Sequence, residues 1–181
     1  LKFFGHSRNA AEELIKRVFV SAFEQIDAYP EAGTFILWLR TIAVYEVRKG
    51  DIEESIASHE AGGVEKAILS LPIEERVIFV LHDVDKLRLE EITVITKDSE
   101  EHIEIELERA RKLMMDKLRI KQFNDLDYKI SFLPQKVEPA PQFWKVILNV
   151  INKTEPENSE VNEEKKDRIG KKLLGLFKKK S

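Results

Sequence analysis

An all-α fold is what the 181 residues predict: two small helical domains followed by a mostly irregular C-terminal tail with short amphipathic helices. Through most of residues 9–123, apolar side chains recur three and four positions apart, which puts one sticky stripe along a 3.6-residue helix. No long run alternates apolar with polar residues; "HIEIELE" does so briefly, then continues helically. A charged fraction of 35% beside an apolar fraction of 43% also suits thin, solvent-rich helices better than a sheet over a large core.

The elements follow in order. "NAAEELIKRVFVSAFEQIDAY" places Leu14, Val18, Ala22 and Ile26 on one face, with Asn9 as cap and Pro30 as stop. "TFILWLRTIAVYEVRKG" is a second helix between a Thr34 cap and Gly50. These make a first domain over residues 1–50. Residues 51–63, polar and closed by a double glycine, form a linker. A second domain over 64–122 contains "GVEKAILSL", then "IEERVIFVLHDVDK" after Pro72, "RLEEITVITK", and the long "SEEHIEIELERARKLMMDKLRIKQF". Residues 123–153 combine prolines with a short amphipathic helix bearing Phe143, Trp144 and Val150. Residues 154–181 begin as a polar stretch too poor in apolar residues to order itself and end in a basic amphipathic tail.

Several functions are excluded or disfavoured by composition. With no cysteine there is no disulfide and no thiolate metal site. No apolar run reaches the ~20 residues of a membrane span. His6, His59, His82 and His102 are scattered without metal-motif spacing, and the chain has no glycine-rich phosphate cradle. No catalytic constellation stands out, so a non-enzymatic protein without a cofactor is expected. Net charge is only −3 but uneven: residues 51–122 hold eleven basic and eighteen acidic side chains. General attraction to nucleic acid is not expected of that middle part.

The order of these segments resembles a bacterial RNA polymerase sigma factor of the extracytoplasmic-function family. "AEELIKRVFVSAFEQIDAYPEAGTFILWLRTIA" is similar to the family's second region. "LSLPIEERVIFVLHDVDKLRLEEITVITKDSEEHIEIELERARKLM" looks like its fourth region, without a gap and with a helix-turn-helix inside it. Leu1 falls partway through the family's opening helix, so that end looks truncated. The resemblance implies that the second region binds the polymerase clamp and captures the −10 promoter element. The fourth region would dock on polymerase and lay its recognition helix in the −35 major groove.

Carried onto this chain, the resemblance nominates Glu13, Lys16 and Arg17 for polymerase, although Lys16 and Arg17 replace the usual Gln-Glu pair. Arg40, Thr41, Tyr45, Arg48 and Lys49 are the −10 candidates. Tyr45, where an asparagine is typical, is suited to stacking on an unpaired base or to covering the core. The dipole of its helix is enough to explain Arg48 and Lys49. Phe19, Phe23, Phe35, Trp38 and Leu39 match core positions. Arg88, Ser99, His102, Glu104, Ile105, Glu108, Arg109, Arg111 and Lys112 are the −35 candidates. Lys97 stands where the family has a turn glycine, and a distorted turn is expected there.

The recognition helix itself is anomalous. Ile103, Leu107 and Ala110 keep its packing face, but Glu100, Glu101, Glu104, Glu106 and Glu108 are expected on the face left for DNA. Affinity for duplex rests on cations that neutralise phosphates. Five carboxylates oppose that approach, so unaided −35 reading is not expected; an ordinary solvated acidic face is the plainer reading. His82 and Asp83, beside Asp85, are expected at the surface.

"LPQKVEPAPQFWKVI" is similar to the segment before the membrane span of anti-sigma proteins. Trp144 is expected to anchor on a partner or on the chain's own helices. Leu173, Phe177 and Lys178 belong to a tail patterned either for anionic lipid or for simple solubility. The sequence therefore predicts a divergent sigma factor that binds core RNA polymerase, with promoter DNA bound weakly or with assistance. The alternative is a sigma-fold interaction module that has lost DNA binding and serves an anti-sigma or other protein partner. The expected place is the cytoplasm, with peripheral membrane contact through the tail.

Overall fold

Leu14, Val18 and Ala22 are four residues apart and all buried, and that stripe holds α1, Arg8–Glu24, against the rest of the chain. The computed structural model describes residues 3–4, 8–29, 34–49 and 63–133, with the single positions 149 and 167. Asn9, expected as a cap, lies inside the first turn because the helix already begins at Arg8. The helix also ends earlier than expected, at Glu24. One tighter turn, Ile26–Ala28, then drives Ile26 fully into the interior.

Thr34 precedes α2, Phe35–Lys49, and its carbonyl accepts from the amides of Leu37 and Trp38. Its hydroxyl accepts weakly from Leu37 at 3.4 Å, so the expected cap is present. Phe19, Phe23, Ile26 and Phe35 are buried together, with Tyr29, Trp38 and Leu39 packed on them. Tyr29 meets the Phe35 and Trp38 rings edge-on at 5.8 and 5.2 Å. The aromatic positions thus build core, as their helical spacing implies. Pro30, Gly50 and nearly all of the 51–63 linker lie outside the described residues.

The second half comprises α3 (Gly63–Leu69), α4 (Ile73–Phe79), α5 (Leu89–Thr96), α6 (Glu100–Leu118) and α7 (Phe123–Ser131). The expected single helix over 73–86 is interrupted. After Phe79 the backbone widens into a π turn, Val80–Val84, where Asp85 N–H reaches Val80 C=O at 2.8 Å. Three residues, Lys97 to Ser99, join α5 to α6. Lys97 takes the left-handed conformation (φ 66°, ψ 14°), and its N–H closes on Thr93 C=O at 3.0 Å. The turn is therefore formed rather than distorted, and the lysine bears the strain a glycine would avoid. Ser99 caps α6, accepting from His102 N–H at 3.2 Å.

The described elements are all helical, so the chain is an all-α protein. Ile103, Leu107, Ala110 and Met114 of α6 are buried against α3 and α4. α7 was not expected as a helix; it closes over α6 with Leu126 and Ile130 inward. α2 packs on α1 and also on α5. Its buried residues accordingly join one cluster that runs from Leu14 and Val18 through Ile42, Val44 and Val47 to Ile92, Ile95 and Leu126. α2 is thus covered along two faces.

Candidate nucleic-acid interface

On α6 the outward face carries Glu100, Glu101, His102, Glu104, Ile105, Glu108 and Lys112, all exposed. Ile105 keeps 44% of its surface in solvent, an apolar side chain amid carboxylates. Glu106 departs from expectation. It is only 6% exposed and accepts from Arg109 at 2.7 Å, so it neutralises a basic residue of its own helix instead of facing outward. Four glutamates, not five, remain on the outer face.

Arg111 also points inward. Its guanidinium grips Asp83 twice, at 2.6 and 2.9 Å, and the Phe123 ring lies against it at 4.6 Å. Asp83 is 4% exposed, against the surface position expected of it. The π turn accounts for this, because it rotates residue 83 beneath α6. His82 remains half-buried, its Nδ1 2.7 Å from the same carboxylate. Arg88 ties back to Glu91, whose carboxylate accepts from Arg88 N–H at 3.1 Å and Nε at 3.3 Å. The Arg88 backbone N–H above all, with its side-chain charge, holds the partly exposed Glu91 carboxyl below its ordinary value.

The −10 candidates on α2 divide between two faces. Arg40 donates to Asp85 at 3.1 Å, and the Thr41 hydroxyl donates to Leu37 C=O at 3.1 Å within the helix. Arg48 is shared most widely. It reaches Glu74 at 2.6 and 3.0 Å, Asp98 at 2.6 Å and Thr96 C=O at 2.9 Å. Burial works to lower the Arg48 pKa, but hydrogen bonds and charge from Asp98 and Glu74 prevail and raise it. The guanidinium is thus held charged by its own fold. Tyr45 (56% exposed) and Lys49 stay on the solvent side, the ammonium 5.8 Å from the ring centroid.

Of the polymerase candidates, Glu13 is exposed and paired with Lys16, while Arg17 reaches Glu46 at 3.8 Å. Glu46 is buried and also accepts from the Ser21 hydroxyl at 2.7 Å. Trp144, Leu173, Phe177 and Lys178 lie outside the described residues.

A single pattern unites these positions. Arg17, Arg40, Arg48, Arg88, Arg109 and Arg111, every arginine nominated for polymerase or DNA, each meet a carboxylate of the chain. The partners of Arg40, Arg48 and Arg111 are 26 to 50 residues away in sequence. No local spacing announces such pairs; only Arg88–Glu91 and Arg109–Glu106 have the i,i+3 spacing of helical neighbours. Among the described residues no group of acidic and histidine side chains is arranged to hold a metal, and no helix is long and apolar enough to cross a membrane. No family model matches the chain, and no curated protein resembles it closely enough to count as a relative.

Proposed function

We propose that this chain is a divergent sigma-like transcription protein that binds core RNA polymerase and takes part in initiation, its −35 reading weakened or delegated to another factor. The observation that carries the reading is the α5–α6 pair. Its three-residue turn, Ser99 cap and buried Ile103, Leu107 and Ala110 are made by the residues through which the sequence resembles the family's helix-turn-helix. Four outward glutamates outweigh the exposed Lys112, and Arg111 is bonded internally, so that helix is poorly suited to binding phosphates. Tyr45 and Lys49, left in solvent at the end of α2, supply an aromatic face and a cation for an unpaired strand. The reading puts the protein in the cytoplasm, where the basic sequence of its tail suits contact with an anionic membrane.

Affinity capture with core RNA polymerase, followed by promoter-dependent transcription, tests this. Retention with specific transcripts supports it; no retention at low salt overturns it. A second reading is favoured by the carboxylates facing the nominated arginines: a sigma-fold module that binds a protein partner and no DNA. Failure with polymerase, together with binding to a regulatory protein of the anti-sigma type, would select that reading.

A further inference from the structure

α2 and the 63–133 half are joined by a face with apolar residues at its centre and arginines at either end. Val44 and Val47 are buried between Arg40 and Arg48, one helical stripe at positions 40, 44, 47 and 48. At one end, Arg40 holds Asp85, just beyond the π turn. At the other, a single guanidinium binds three separate pieces: Glu74 in the first turn of α4, Thr96 C=O at the end of α5, and Asp98 in the connection to α6. Arg48 thereby also caps α5, where a cation suits the negative end of the helix. The same fork geometry that satisfies two carboxylates satisfies a phosphate.

We infer that the α2–α5 contact is a latched, closed form of the protein, with Arg48 as the latch, and that its release uncovers the Arg40–Thr41–Arg48 face for a phosphate-bearing strand. That the ligand is nucleic acid rests on the function proposed above; the latch itself does not. Closed, Arg40 and Arg48 are paired with Glu74, Asp85 and Asp98 and keep only about a quarter of their side-chain surface in solvent, while Tyr45 and Lys49 are exposed. Open, two guanidiniums join them on one helix.

The chain has no cysteine, so Gln25→Cys with Lys117→Cys, both at exposed positions in opposite halves, takes a pair of spin labels cleanly. Distance measurement on the full chain should give one narrow population. Arg48→Met keeps the apolar stem but loses the fork, and should raise a longer-distance population on the order of tenfold. An unchanged distribution in a variant of unchanged helicity overturns the latch. Should Arg48→Met lose helicity, Glu74→Gln with Asp98→Asn decides: the same shift supports the latch, and no shift overturns it. Adding a single-stranded oligonucleotide to the opened variant separates the two claims. Opening with tightened strand binding supports both; opening without binding keeps the latch and sinks the strand as its ligand.

Discussion

α2 and α6 are the two helices that the sequence nominates for DNA, and the structure disposes of their charged side chains in different ways. α6 buries one face, through Ile103, Leu107, Ala110 and Met114, and leaves the opposite face open. What would oppose a duplex there is charge: Glu100, Glu101, Glu104 and Glu108 are all exposed. α2 carries cations, but Arg40 and Arg48 are turned onto Asp85, Glu74 and Asp98. What would oppose a strand there is pairing and partial cover. Cover is undone by moving two halves apart, whereas the sign of a charge changes only by mutation. If the protein regulates nucleic-acid contact at all, the regulated helix is α2.

The largest effect should come from breaking the buried side of α6 and sparing its open side. Ile103→Ala leaves a cavity in a fully buried position and should cost about 3 kcal/mol. Ile105→Ala, two residues on and half in solvent, should change stability by less than ~0.5 kcal/mol. Urea unfolding of both variants measures the contrast, and equal losses would mean that α6 is not one-sided. Next in size is reversal of the open side. Replacing Glu100, Glu101, Glu104 and Glu108 by lysine should raise duplex affinity by roughly 100-fold at low salt, with a steeper salt dependence. Fluorescence anisotropy with duplex DNA reads this; no gain would mean that charge is not what keeps the duplex away.

The Asp83–Arg111 pair sharpens the comparison further, because it removes a cation of α6 by burial, as happens on α2. Asp83→Asn should destabilise the protein by about 2 kcal/mol, since Arg111 then keeps a neutral acceptor in a site built for a charge. Thermal unfolding followed by circular dichroism is the check. The turn ahead of α6 gives an effect of the opposite sign. Lys97→Gly relieves a left-handed lysine and should stabilise by about 0.5–1 kcal/mol, after the greater freedom of glycine in the unfolded chain is deducted. A loss of stability would show that Lys97 is not strained.

Much of this was legible beforehand, for a local reason. Leu14, Val18 and Ala22, like Ile103, Leu107 and Ala110, announce their burial by spacing alone, and Ser99 announces the start of α6 by its hydroxyl. α7 was not, because only Leu126 and Ile130 turn inward from a polar stretch that lacks a capping side chain. Glu106 is expected outward because of its charge, although its angle, three residues on from Ile103, puts it on the packing side, where Arg109 clasps its carboxylate. The partners of Arg48 were beyond reach of any local rule. Asp98 is fifty residues away, and α2 meets it only once the two halves have packed. The candidate site was thus visible as a set of residue types, but not as a set of occupied ones.

The smallest effect concerns the two ends of α5. Its C-terminal end is tied across to α2 by Arg48; its N-terminal end is tied within its own half, by Glu91 to Arg88. Because the folded Glu91 carboxyl titrates below its ordinary value of 4.5, its ionised form stabilises the fold. That contribution is complete above the ordinary value and is lost as the pH falls through the depressed folded one. Glu91→Gln keeps an acceptor for the Arg88 N–H but removes the charge. The variant should therefore unfold slightly earlier than the parent at pH values above the ordinary 4.5, and the gap should close as the pH falls through the depressed folded value. A gap that stays constant over that range would assign the tie to hydrogen bonding alone. The Arg48 end should behave otherwise in the same experiment, since loss of its partners separates the halves as well as fraying one helix.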